Sequence, residues 1–410
     1  MIPRSWSYYI LYIATSFSFA TLVLVLAVYP LTSWKQAMTT SRPWRGDMGF
    51  GRFVIRGSRR EDGGSTITPF AYAWRRSDPT AWTHASAWGG YIVHQLGQWY
   101  IITRVFRQRA AETGAASSSS SPLQYASTYR WWNWAMVYLN VSMAFYKLIQ
   151  SHLFYDGLAI DVSEAITQGS VIMILVVALI LAIPRRGIAF GYPQKPITSL
   201  AYNIVWQFIK KYHAYMISLG TVMNFHYHPA EGTLAHHGGF VYQCLLLWQS
   251  SNFLHTSHRN KYWVLFLELW VLLHGSVTAY FQLGSGWQIF FYGFLVVFVA
   301  NQIYDTGILS RRSSAGWWQP AVVYLLFILL VVFGFGKDDH RYYRVLFIPV
   351  AEFLAVLYCL GMGCVGYYWI QRYPSHRVFA VCLMYTLTGA GVILSLAYIL
   401  AGHLRVFNDY

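Results

Sequence analysis

Apolar stretches of about twenty residues recur from one end of the chain to the other, separated by short polar or basic segments. They lie near residues 8 to 29, 82 to 103, 131 to 151, 165 to 183, 203 to 225, 234 to 254, 262 to 283, 285 to 304, 319 to 335, 345 to 370 and 378 to 402. A helix of roughly 20 residues rises the roughly 30 Å of a bilayer's hydrocarbon core. In lipid the backbone must satisfy its own hydrogen bonds, so stretches this long and this apolar predict helices. A β-barrel would show shorter segments of alternating polarity. The fold class expected is therefore all-α, a polytopic integral membrane bundle of about eleven transmembrane helices, with 10 to 12 as the range because the second and fifth stretches are more polar.

The intervening segments set an orientation. From the third stretch onward basic loops alternate with acidic or uncharged ones: Arg104, Arg107, Arg109 and Arg130; then Arg185, Arg186 and Lys195; Arg259 and Lys261; Arg311 and Arg312; Arg372 and Arg377. Cytoplasmic loops are enriched in Lys and Arg, so these are expected in the cytoplasm, together with the N-terminus. Residues 35–80 form a long basic loop that this count places on the other side, against the charge rule. Residues 105–130, with five serines at 117–121, read as a flexible cytoplasmic linker. The whole chain, 1–410, is expected to form one membrane domain, and its first apolar stretch is too long for the core of a cleaved signal peptide.

Composition agrees with this setting: 56% of residues are hydrophobic, 19% aromatic and 11% charged, less than half the charged share of an average soluble domain. The net charge of +15 does not point to nucleic acid, because the basic residues sit in short loops at helix ends. Membrane lipids are the expected partners, and an apolar small molecule is the expected substrate class. Cys244, Cys359, Cys364 and Cys382 all fall inside apolar stretches and read as packing residues. No P-loop, GxSxG or HExxH pattern occurs.

Candidate chemistry concentrates at His226-Tyr227-His228-Pro229-Ala230-Glu231 and His236-His237, between two apolar stretches. Imidazole with carboxylate suits a divalent transition metal such as zinc or iron, which makes His226, His228, His236 and His237 the expected metal ligands. A plainer account is that boundary histidines hydrogen-bond to water and headgroups. His255 and His258 stand about 27 Å from His236 and His237 at helical rise, too far to share one centre, and read as part of a basic cytoplasmic loop. A second group, His152, Asp156, Asp161 and Glu164, forms an acidic loop around Gly157. His152, Asp156, Asp161 and Glu231, with Glu352 about two turns into its helix, are the expected general acids and bases on the non-cytoplasmic side. Asp338, Asp339 and His340 lie at the same expected surface. Ionisable residues inside spans are functional candidates by default, and His94, His213, Glu268, His274 and Glu352 qualify. His94 with His274 is the only central pair available for a haem.

Three functions fit. A membrane enzyme could act on a lipid, isoprenoid or other apolar substrate through the non-cytoplasmic His and carboxylate group. A proton- or ion-coupled transporter or channel could use the same residues as a relay. A structural subunit could use them to hold a partner.

Overall fold

The computed structural model describes residues 79–112, 125–154, 156–162, 164–191, 200–230, 234–283, 287–305, 318–335 and 342–377, with a few positions between 379 and 387. The first apolar stretch, nearly all of the basic loop 35–80, most of the serine-rich segment and nearly all of the last stretch lie outside these residues. The described chain is all-helical. Its α-helices are α1 (Ala81–Glu112), α2 (Trp131–Phe154), α3 (Glu164–Arg186), α4 (Leu200–Tyr227), α5 (Leu234–Ser251), α6 (Lys261–Leu283), α7 (Trp287–Ala300), α8 (Trp318–Phe335) and α9 (Phe347–Arg372). Each falls on one of the apolar stretches read from the sequence.

Among the described residues three segments are long and apolar enough to cross a membrane: Gly169–Arg186, Lys261–Tyr280 and Tyr342–Arg372. Trp287–Ala300 and Ala321–Gly334 are apolar but shorter. Other described helices fall short of that measure for a physical reason. The helices α1, α2, α4 and α5 interleave buried polar side chains, among them Gln95, Gln98, Asn133, Asn140 and Asn224, with their apolar ones. Large apolar side chains nonetheless face outward, for example Leu325, Leu326, Leu330 and Phe333 of α8, a pattern suited to lipid rather than water.

The helix ends have local causes. Thr80 and Thr83 cap α1 reciprocally, each backbone N–H donating to the other's Oγ1 at 3.3 and 3.2 Å. Asn260 caps α6 by accepting from the Tyr262 and Trp263 N–H groups. At the end of α3, Gly187 takes a positive φ of 76° and its N–H donates to the Ile183 carbonyl, a left-handed helix stop that favours glycine.

The described residues fall into two compact units. The first takes the residues up to Ser170 together with Ala214–Leu267. There α1 packs on α2 and α2 on α5. Ile101, Ile102, Val105, Trp132, Met136, Phe253 and Leu254 form one apolar cluster, and Ala144, Leu148, Phe225, Phe240, Cys244 and Leu247 another. Cys244 is thus a packing residue. The segment before α2 is tied to the turn after α5: the Ala126 N–H donates to the Leu254 carbonyl, and the Thr256 N–H to that of Ala126. His255, expected in a solvated basic loop, is instead buried, its ring stacked on Tyr129 at 4.3 Å.

The second unit takes Val171–His213 and the residues from Glu268 onward. In it α7 packs on α8, on α9 and on the 3-10 turn Tyr342–Leu346. Gly293 faces Ile348 and Gly334 faces the Tyr292 hydroxyl. Small residues at such crossings matter in lipid, where close packing and internal hydrogen bonds replace hydrophobic transfer as the force between helices.

Gly157 meets a similar constraint in the first unit, because a Cβ there would collide with the backbone carbonyl oxygens of His226 and Tyr227. Gly157→Ala is expected to destabilise the protein by about 1–3 kcal/mol, the usual cost of overpacking. Melting curves in detergent would check this against Gly238→Ala inside α5, whose Cβ meets nothing within 4 Å and which should leave the transition unchanged or raise it, since alanine favours a helix over glycine.

Candidate functional site

The last turn of α4 places His226 inside the first unit, 1% exposed, against fully buried His94 of α1. His94 Nδ1 lies 3.0 Å from His226 Nε2, and His94 Nε2 lies 2.9 Å from Asn140 Oδ1 on α2. The amide orientation of Asn140 follows from its other partners. Its Nδ2 faces the Leu247 carbonyl at 2.9 Å, which can only accept, as well as the Ser250 and Ser251 hydroxyls of α5. The atom facing His94 is therefore the oxygen, which also accepts from Gln98 Nε2 at 2.8 Å. It follows that neutral His94 carries its proton on Nε2 and accepts at Nδ1, so that His226 Nε2–H is the donor. The result is a directed chain, His226 to His94 to Asn140, that joins α4, α1 and α2 and continues through Asn140 to α5.

The acidic loop closes over the end of α4. Lys147, buried in α2, donates to Gln150 Oε1 at 3.1 Å and to the His226 carbonyl at 3.4 Å. Gln150 in turn donates to the Asp156 carbonyl. The Asp156 side chain is fully buried. The backbone at Gly157 then lies directly on the His226 and Tyr227 carbonyls. Asp161 behaves differently. It lies at the surface, where its Oδ2 accepts from His84 Nδ1 and Trp88 Nε1, both at 2.8 Å. Partial burial works to raise the pKa of this carboxyl, but the two hydrogen bonds and the neighbouring imidazole outweigh it and hold it below its ordinary 3.8.

The remaining expected site residues are distributed over several elements. His228 is half-buried beside the Tyr227 ring, and His236 and His237 are buried in the first turn of α5. Neither ring nitrogen of His237 makes a hydrogen bond. Glu231 and the side chains of His152 and Glu164 lie outside the described residues, as do Asp338, Asp339 and His340. Among the described residues no three His, Cys, Asp or Glu side chains are grouped to hold a metal ion. The four histidines expected as ligands are thus not gathered. Helix α4 carries His226 inward to His94, while His236 and His237 start a separate helix.

The second unit holds a group that sequence reading placed elsewhere. Arg186, expected as a loop cation facing the cytoplasm, is fully buried. It donates to both carboxylate oxygens of Glu268 at 2.8 Å and through Nε to Asp305 at 2.6 Å. Arg185 Nε lies 2.6 Å from the other Asp305 oxygen. A paired arginine at the end of an apolar run, with a lone acid inside another, was the available signal. Glu352 also belongs to this unit. It lines a small cavity with Glu268 and Gln302.

No protein-family model matches this chain, and neither the curated proteins nor the solved structures contain one similar to it.

The tie between Asp161, His84 and Trp88 makes a pH prediction. A carboxyl whose pKa is depressed in the folded state stabilises above its unfolded value, and that stability is lost as pH falls through the folded value. Melting temperatures measured from neutral to acid pH should therefore drop below about pH 4. Asp161→Asn should melt lower than the natural protein at neutral pH and lose less on acidification. Parallel curves for the two proteins would count against the tie.

Proposed function

We propose that this chain is a multi-pass membrane protein that exchanges protons through the buried His94–His226 pair, as part of a proton-coupled transport activity. The observation that carries the reading is the 3.0 Å contact between His94 Nδ1 and His226 Nε2 inside a chain of side-chain hydrogen bonds. Imidazole can take up a proton at one ring nitrogen while releasing one from the other, which is the chemistry a relay needs. A proton taken up at His226 Nδ1 can release the one on its Nε2 along the shared hydrogen bond to His94 Nδ1, leaving neutral His226 and an imidazolium at His94 whose Nε2–H stays on Asn140. Lys147, Gln150 and Asp156 extend the polar path toward the acidic loop, while Asn140 extends it toward Ser250 and Ser251. The finer topology belongs to the same proposal: about eleven crossings, an N-terminus in the cytoplasm and the acidic loop on the opposite side.

Reconstitution into liposomes containing a pH-sensitive dye tests the idea. With an imposed gradient, the natural protein should move protons, whereas His94→Asn should remain folded and lose at least about tenfold in rate. Equal flux in folded natural and His94→Asn protein would end the relay proposal.

A second reading rests on a different observation. The half-exposed His84 is held at Nδ1 by Asp161, the arrangement by which a carboxylate orients an imidazole as a general base. In this reading the chain is a membrane enzyme acting on a lipid, isoprenoid or other apolar substrate at that surface. Lipid extracts of a strain lacking the protein should then accumulate a precursor. The natural protein should clear it and a stably expressed His84→Asn variant should not; clearance by both would remove the enzyme reading.

A further inference from the structure

The charges of the second unit do not balance at Glu352. Arg186 is shared between Glu268 and Asp305, and Arg185 supports Asp305, so these two cations match these two anions. Glu352 is a third carboxylate, 1% exposed, and among the described residues no cation pairs with it. Its Oε2 is buried without a hydrogen-bond partner. It lines a cavity of about 10 Å³, on the threshold of holding one water molecule. Facing it there are the Glu268 carboxylate from α6, the Gln302 amide from the turn after α7, and otherwise apolar side chains such as Leu179, Val271 and Phe294. No other titratable side chain lines the cavity. A bare carboxylate in such surroundings pays the full penalty of desolvation, and the second carboxylate across the cavity adds repulsion.

We propose that the cavity between Glu352, Glu268 and Gln302 is a binding site for a single monovalent cation, occupied by a proton on Glu352 and exchangeable for sodium. One positive charge completes the balance. Glu268, clamped by both terminal nitrogens of Arg186, stays ionised and acts as the fixed anion of the site, while Glu352 is the group that gains and loses the exchangeable charge. Gln302 contributes neutral polar atoms able to hydrogen-bond a protonated carboxyl or to coordinate a small cation. The Arg186 cluster thereby acquires a role beyond joining helices: it holds Glu268 in place and leaves Glu352 the one uncompensated acid beside the cavity. This inference stands on the second unit alone and does not depend on the role given to His94.

Infrared difference spectroscopy on the full-length protein in lipid nanodiscs tests it. The natural protein at neutral pH should show the C=O band of a protonated carboxyl group, shifted by exchange into heavy water and missing in Glu352→Gln. Adding sodium chloride at constant pH distinguishes the two occupants. Loss of the band with sodium but not with choline supports a sodium-exchangeable site; persistence supports the site as a proton site and removes the sodium part. If no band differs between natural and Glu352→Gln protein at any pH, the proposal is overturned. Should Glu352→Gln fail to fold, labelling of the natural protein with dicyclohexylcarbodiimide decides, because that reagent attacks protonated carboxyl groups in apolar surroundings. Adduct on Glu352 and not on Glu268 supports the site, and absence of adduct on Glu352 overturns it. Neither result touches proton flux through His94, so the two readings fail separately.

Discussion

Inside an apolar bundle a polar side chain has no water to turn to, so it must find its partner on a neighbouring helix or remain unsatisfied at a cost of about 1–3 kcal/mol. Asn140 is where the first unit answers this constraint. Its amide bonds to His94 and Gln98 of α1 on one side and to Leu247, Ser250 and Ser251 of α5 on the other. With His94 bonded to His226 of α4, one residue of α2 sets the mutual register of four helices. Arg186 plays the corresponding part in the second unit by joining α3 to α6 and to the turn after α7. A buried ion pair adds little net stability, because desolvation offsets its attraction, but losing one partner is costly. Arrangements of this kind specify one packing against its alternatives.

The same constraint shapes the candidate chemistry. A group that satisfies every neighbour is structural, and Asn133, bonded to the Ser251 and Phe253 carbonyls, is of that kind. Histidine and glutamate differ because their demands change with protonation. His226 and His94 can gain and lose a proton, whereas the Asn140 amide at the end of their chain cannot. At Glu352 the arrangement is incomplete in another sense, since the carboxylate faces a second carboxylate and an amide without a matching cation. Both units therefore contain a titratable group held among fixed polar ones.

Much of the architecture was legible in the chain. The length and apolar character of the stretches located each described α-helix, because a helix must satisfy its own backbone in lipid wherever it packs. The acidic loop and the run beginning at His226 were recognisable as polar groups between apolar stretches. Their partners were not. His94 was visible as a polar residue inside α1, but nothing local distinguishes His226 from His274 as its partner, since the choice rests on contacts 132 residues apart in sequence. Arg186 was read as a loop cation because it follows Arg185 at the end of an apolar run, and only the last turn of α3 turns one arginine inward and leaves the other half-exposed. That Glu352 faces Glu268 and Gln302 across one cavity was not legible either, since its lining comes from separate helices.

The sequence by itself determined the solvent this protein is built for and the helices it forms, since both follow from composition over runs of some twenty neighbouring residues. Tertiary structure alone decided which histidine meets which, which arginine is buried and which acid lacks a cation. Those outcomes depend on side chains brought together from distant helices, and their energies arise only when water has been excluded from the space between them.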